Sequence, residues 1–94
     1  MNAKNSNEKV HELKIHPERF NDIIAGRKKF ELRKNDRDFK LFQLLKLREW
    51  DPKTKKYSGA GCTVRITYIV VGDAETKKMF GLMPGYVAMG ITLL

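Results

Sequence analysis

The spacing of apolar residues along the chain predicts five short strands and one helix. Alternation of apolar and polar residues marks the strands, which are predicted at residues 10–15, 28–34, 41–50, 62–71 and 86–93. Between the first two strands, Phe20, Ile23 and Ile24 recur at helical spacing, so residues 17–25 are predicted to form a helix. Pro17 suits the first position of this helix, and Gly26 suits the position just past its end.

The same alternation predicts which side chains share a face of each strand. On the second strand, Glu31 and Arg33 are predicted to lie opposite Phe30 and Leu32. The third strand places Lys46, Arg48 and Trp50 on one face. The predicted apolar rows are Leu45 and Leu47 on the third strand, Cys62, Val64, Ile66, Tyr68 and Val70 on the fourth, and Val87, Met89, Ile91 and Leu93 on the fifth.

Polar and turn-forming residues predict what connects these elements. Residues 1–9 are predicted to be a disordered tail, 35–40 a polar loop, and 51–61 a long hairpin connection. Residues 72–85 form a further connection, with one helical turn predicted at 77–82. No linker or repeat divides residues 10–94, so they are predicted to form a single domain. We expect an α+β fold, a mixed β-barrel of five or six strands with one or two short helices.

Charge adds a partner class to this prediction. The formal net charge is +8, and residues 27–48 hold nine cations and three acids, which is nine minus three, or +6 of that total. Such an excess attracts polyanions, so RNA or a nucleotide-like ligand is the expected partner.

Other classes of site lack their residue patterns. Cys62 is the only cysteine, so no intrachain disulfide is possible and a cytoplasmic location is expected. No apolar run approaches the roughly 20 residues of a membrane span. His11 and His16 are predicted to be surface or capping residues, because no cysteine or carboxylate cluster joins them at metal-ligand spacing. No metal or cofactor is expected, since no Gly-rich phosphate motif follows a strand.

The segment from Gly26 to Arg33 concentrates the candidate chemistry. A glycine turn, several cations and one carboxylate, Glu31, lie within eight residues. This composition favours a cleft for a phosphate-bearing or polar heterocyclic ligand over a plain core strand.

Gly26, Lys28, Glu31 and Arg33 match the pattern Gly-x-Lys-x-x-Glu-x-Arg of the ASCH domain, which the chain resembles. The strand Leu45-Lys46-Leu47-Arg48-Glu49-Trp50 and the segment Pro84-Gly85-Tyr86-Val87 are similar to a bacterial and phage branch of that family. In one place the chain departs from the pattern, because Phe42-Gln43 stands where relatives commonly have Gly-Asp. The resemblance implies a PUA-like barrel with a cleft beside the helix, and RNA binding as its role.

The resemblance also raises a hydrolase. One branch of ASCH proteins hydrolyses acylated cytidines with a lysine, a threonine and a glutamate. Lys28 matches the lysine, but Glu31 replaces the threonine nucleophile, and the second glutamate has no clear counterpart between Gly72 and Pro84. Lys28 and Glu31 are therefore the only catalytic candidates, and enzymatic activity stays open. A protein-interaction accessory domain is a third possibility.

For RNA binding, cations would contact phosphates and Trp50 would either stack on a base or close the end of the barrel. Glu31 would either read amino or imino donors of a base or hold the cleft in shape by an ion pair. The predicted nucleic-acid-binding residues are Arg27, Lys28, Lys29, Glu31, Arg33, Arg37, Lys46, Arg48 and Trp50.

Overall fold

Five strands form one sheet that curls into a half-barrel, and two short helices accompany it in a computed structural model that describes residues 9–94. The elements in chain order are β1 (Val10–Ile15), α1 (Pro17–Ile24), β2 (Phe30–Lys34), β3 (Leu44–Asp51), β4 (Lys56–Val71), α2 (Ala74–Phe80) and β5 (Tyr86–Leu93). The strand order is β1-β3-β4-β5-β2, and β1 runs parallel to β3 while the other pairs are antiparallel. The predicted α+β fold with a small, mixed, barrel-like sheet is confirmed. Most of the predicted tail, residues 1–8, lies outside the described residues.

The inner face of the curled sheet carries the core. Alternate positions of β3, β4 and β5 are buried there, and α1 adds Phe20 and Ile23. Each fully buried side chain of this size stabilises the fold by about 1.5–3 kcal/mol. The helix begins at Pro17, after extended backbone at His16, and is followed by Gly26 at φ +81°, as predicted. The buried core consists of Leu13, Ile15, Phe20, Ile23, Phe39, Leu45, Leu47, Val64, Ile66, Val87, Met89 and Ile91.

A bulge in β4 corrects the predicted apolar row of that strand. Ile66 pairs with Ile91, but Tyr68 pairs with the next residue of β5, Gly90, so β4 contains one extra residue. An extra residue reverses the alternation beyond it. Tyr68, predicted to continue the apolar row, is 69% exposed, and Ile69 packs against the core in its place.

The predicted connection over residues 51–61 is wrong for most of its length. β4 begins at Lys56, and only a short turn follows Asp51, with Lys55 at φ +58°. Glycine and serine lower strand propensity, but Trp50 and Asp51 of β3 pair with Tyr57 and Lys56 and supply the ladder that holds this segment extended. The predicted strands at 28–34 and 41–50 also begin later, at Phe30 and Leu44.

The predicted helical turn at 77–82 is a complete short helix that starts earlier. Asp73 caps α2 by accepting a hydrogen bond from Thr76 N at 2.8 Å, and Thr76 Oγ1 accepts one from Asp73 N at 2.8 Å. This reciprocal capping box fixes the start of the helix. Gly81 ends it at φ +81°.

The turn before β3 differs most from expectation. His11, predicted to be a surface or capping residue, is buried, and its Nε2 lies 2.7 Å from Oε1 of buried Gln43. The same oxygen accepts a hydrogen bond from Lys40 N at 2.9 Å. Phe42, at the position where a glycine was expected, adopts the left-handed conformation itself at φ +71°. Its carbonyl accepts a hydrogen bond from Arg65 Nη1 at 2.9 Å, which fixes the turn against β4.

Substitutions at Phe42 test this strain. A left-handed conformation costs a residue with a Cβ atom about 1 kcal/mol or more, whereas glycine adopts it freely. We expect Phe42→Gly to be more stable than Phe42→Ala by about 1 kcal/mol, the reverse of the usual order within regular structure. Urea denaturation of both variants measures the difference, and an Ala variant at least as stable as the Gly variant contradicts the expectation.

Candidate functional site

A buried carboxylate with two cationic partners lies at the centre of the Gly26–Arg33 segment. Glu31, on the inner face of β2, has a side chain that is only 3% exposed. Lys28 Nζ donates to Glu31 Oε1 and, at 2.6 Å, to the carbonyl of Phe30. Arg33 Nε donates to Glu31 Oε2 at 2.8 Å. Removing a carboxylate from water is costly unless charged partners satisfy it, so these three side chains form one unit, the ion triad.

Arginine side chains connect the two edges of the half-barrel. β1 and β2 are the edge strands of the sheet. Arg33 Nη2 donates to the carbonyl of Lys14 on β1 at 3.0 Å, and Arg37 Nη1 donates to that of Glu12 at 3.1 Å. The arginines thus satisfy backbone acceptors that an edge strand leaves unpaired. The ion triad therefore compensates the buried charge of Glu31 and, through Arg33, also holds β2 beside β1.

A cleft of about 440 Å³ opens beside this connection. The ion triad forms one side, and the end of β1 with the start of α1 forms the other. Charged and apolar side chains line the cleft, namely those of Lys14, Ile15, His16, Arg19, Lys28, Phe30, Glu31, Leu32 and Arg33.

Two further hollows adjoin this cleft and extend it across β1 towards β3. The second, of about 570 Å³, shares Lys14 and Arg33 with the first and adds Arg37 and Arg48. The third, of about 430 Å³, shares Arg48 with the second and adds Lys46 and the segment 59–63 of β4. We call these three connected hollows the cationic strip. Among residues 9–94, Glu12 is the only acidic residue that lines the strip outside the ion triad, and Arg48 Nη1 donates to it at 3.0 Å.

Aromatic rings lie beside the cations of the strip. Lys14 Nζ lies 4.3 Å from the ring centroid of Trp50, and Arg48 Cζ lies 3.8 Å from that of Tyr57. Trp50 and Tyr57 are themselves paired across β3 and β4. Two cation–π pairs are therefore neighbours at the second hollow, in the middle of the strip.

The structure brings together most of the residues that the sequence nominated. Lys28, Glu31, Arg33, Arg37, Lys46 and Arg48 all line the strip, and Trp50 contacts it through Lys14. Arg27 is directed elsewhere, to Asp22 of α1, with Nη2 and Oδ1 2.9 Å apart. Lys29 is exposed and lines none of the three hollows. Their role in binding stays a prediction.

The residues that line the strip without having been predicted from the sequence include Lys14, His16, Arg19 and Tyr57. Lys14, His16 and Arg19 line the first cleft, and Tyr57 lines the second. The parallel pairing that sets Lys14 beside Arg48 joins distant parts of the chain, and no local pattern reveals it. Tyr57 fell within the predicted connection, so it was not assigned to a strand face.

The thiol of Cys62 lies at the third hollow of the strip. Burial raises the pKa of Cys62, and the negative charge of Glu31 raises it further. A thiol that keeps its proton is a poor nucleophile, so Cys62 acts at the third hollow as a small, weakly polar residue.

Other kinds of site find no support in the part of the chain that is described. Across residues 9–94, histidine, cysteine and carboxylate side chains do not gather in groups of three that could hold a metal ion. Neither helix within the same range has the length and apolar character needed to cross a bilayer.

Neutralising Glu31 tests the ion triad. Glu31→Gln leaves Lys28 and Arg33 without their shared counter-charge, so we expect the free energy of unfolding to fall by about 3 kcal/mol. Asp22→Asn is the matched control, because it neutralises the exposed partner of Arg27 and should cost less than about 1 kcal/mol. Equal losses in urea denaturation would show that the triad is not a structural unit.

Comparison with known proteins places the chain in a family. A 42-residue stretch is 40% identical to an uncharacterized 12.9 kDa protein in the GpA 3' region of Escherichia phage P2, a match that spans 45% of this chain and 38% of the phage protein. The crystal structure of the hypothetical protein PH0355 has a similar fold, with a TM-score of 0.61 and 18% identity over 90% of this chain and 99% of that one. The family model described as a domain of unknown function, DUF3850, matches residues 10–91. The chain therefore belongs to the DUF3850 family.

Proposed function

We propose that this chain is an RNA-binding module of the ASCH type in the PUA-like superfamily, that it acts in the cytoplasm, and that the cationic strip is its binding surface. The observation that carries the proposal is the continuity of the strip. The first and second hollows share Lys14 and Arg33, the second and third share Arg48, and cations line all three. A row of this kind fits a ligand with repeated negative charge better than it fits one small anion.

The aromatic residues favour a ligand that also has bases. Lys14 and Arg48 each lie against a ring while remaining accessible, since Lys14 is exposed and the Arg48 side chain is 40% exposed. A nucleotide can contact both groups at once, with its phosphate on the cation and its base on Trp50 or Tyr57. Stacking of this kind contributes about 1–3 kcal/mol per base and does not depend on sequence.

The hydrolase alternative has less support from the geometry. Lys28 is engaged with the Glu31 carboxylate and the Phe30 carbonyl, so two of its donor positions serve to fix β2. Glu31 stands where the acylcytidine branch has its threonine, and its two oxygens are occupied by Lys28 and Arg33. These contacts suit a binding cleft whose shape is fixed, and they leave the covalent step without a nucleophile.

Paired charge removals test the phosphate contacts. We expect Lys46→Gln with Arg48→Gln to weaken binding to single-stranded RNA and to reduce the slope of log affinity against log salt by about 1–2. Lys77→Gln with Lys78→Gln is the matched control, because it removes two exposed charges from α2, away from the strip. Fluorescence anisotropy with a labelled oligonucleotide gives both slopes. Equal effects of the two pairs would mean that only net charge matters.

Substitution of Trp50 tests the stacking contact separately. We expect Trp50→Ala to weaken binding by about 1–3 kcal/mol while leaving the salt slope unchanged, because no charge is lost. Trp50→Phe keeps an aromatic face and should retain part of the affinity. The same titrations measure both variants, with circular dichroism as a check of folding. An alanine variant that binds as tightly as the unaltered protein would assign Trp50 to packing alone.

A further inference from the structure

The outer face formed by β2, β5 and β4 has two neighbouring apolar rows, flanked by the pairs Lys34–Tyr86 and Arg65–Thr92, and its large and small side chains follow the register of the sheet. One row of paired positions consists of Phe30, Gly90 and Tyr68, and the next of Leu32, Ala88 and Val70. All six residues are apolar or aromatic, so neither row contains a charge. The bulge in β4 produces this arrangement, because it turns Tyr68 and Val70 to the outside.

The two rows form a trough with apolar walls. Gly90 and Ala88 on the central strand β5 provide a floor without bulk. The walls stand well into solvent, with Phe30 50%, Leu32 60% and Tyr68 69% exposed. The wall and the floor are in close contact, since a Cβ atom added at Gly90 would lie 3.3 Å from Cβ of Tyr68. An exposed apolar surface of this shape marks a site of interaction more often than a surface that contacts only solvent.

We infer that this face binds a second copy of the same chain. The trough and its wall are complementary to each other. The wall of one copy, formed by Phe30 and Leu32, can enter the trough over Gly90 and Ala88 of the second copy. The wall of the second copy can enter the trough of the first in the same way. An arrangement with a two-fold axis makes both insertions at once, and such an interface closes as a dimer. Small central residues also let the two sheets approach to the usual spacing of about 10 Å.

The available area supports a dimer of modest affinity. Phe30, Leu32, Tyr68 and the neighbouring Tyr86 leave on the order of 500 Å² exposed, given about 200 Å² for a side chain of this size. Two copies would therefore bury about 1,000 Å² together, which is the lower limit for a specific interface. We expect association in the micromolar range, so that monomer and dimer exchange with concentration.

Charge also favours this face over others. Each copy has a formal net charge of +8, so an association through the cationic strip would be repulsive. The trough borders the strip at β2, because Phe30 and Leu32 also line the first cleft. Its floor and its β4 wall, which consist of Gly90, Ala88, Tyr68 and Val70, line none of the three hollows. Association through the trough brings together two rows without charge, and the nearest cations, Lys28 beside the Phe30 ring and Lys34 opposite Tyr86, lie at its edge. The inference stands on the register and exposure of this face and does not depend on RNA binding.

Sedimentation velocity over a range from low to several hundred micromolar protein tests the inference. We expect the weight-average mass to rise from 10.9 kDa towards twice that value. Tyr68→Lys should weaken the dimer at least tenfold, because it places a charge in the interface. Val10→Lys is the matched control, since it replaces another half-exposed apolar residue, on β1, with the same side chain and should leave the association unchanged.

Ala88→Leu distinguishes association that depends on the shape of the trough from nonspecific hydrophobic association. It adds apolar surface to the face, so nonspecific association would become stronger, but it fills the trough and should weaken a dimer that depends on insertion. Circular dichroism confirms that each variant is folded. A monomer at every concentration, an equal loss with Val10→Lys, or a stronger dimer with Ala88→Leu would each overturn the inference.

Discussion

The carboxylate of Glu31 is the group on which the site depends. It is buried on the inner face of β2 and is compensated by Lys28 and Arg33. The guanidinium of Arg33 donates both to the Glu31 carboxylate and to the backbone of β1. The group that compensates the buried charge therefore also holds the two edge strands together. The first cleft lies at that junction. Its shape is therefore fixed by electrostatics within the protein before any ligand arrives, which is the arrangement that lowers the entropic cost of binding.

The cationic strip and the apolar trough have opposite chemistry, and β4 contributes residues to both. Its first half contributes backbone and small residues to the third hollow of the cationic strip. Its second half contributes Tyr68 and Val70 to the apolar trough. A single extra residue between Ile66 and Tyr68 separates the halves. Without that bulge Tyr68 would face the core, and the apolar surface would lose one wall.

Local pattern was sufficient for the parts of the fold that depend on neighbours in sequence. The bounds of β1 and β5, the α1 helix and the left-handed Gly26 all follow from alternation, helical spacing and turn chemistry. Three of the misses share a cause, since each depends on a partner strand, whereas the earlier start of α2 depends on the local capping box of Asp73 and Thr76. The start of β4 is imposed by β3, Tyr68 is exposed by a bulge against β5, and His11 is buried by a turn that supplies Gln43. In the site, Glu31 and Arg33 share a face as predicted, whereas Lys14 joins them through a parallel pairing that no short motif contains.

The order of strands has a consequence for how the protein is made. β3, β4 and β5 form a meander of neighbours in sequence, and this part can assemble through local contacts. The two flanking strands, β1 and β2, come from the beginning of the chain. β2 pairs only with β5, so Phe30 can pair with Gly90 only after the end of the chain has been made. During synthesis the ribosome releases β1 and β2 long before their partners exist. The segment that carries the ion triad is therefore the last to be fixed in place, and until then it is the stretch most open to chaperones and proteases.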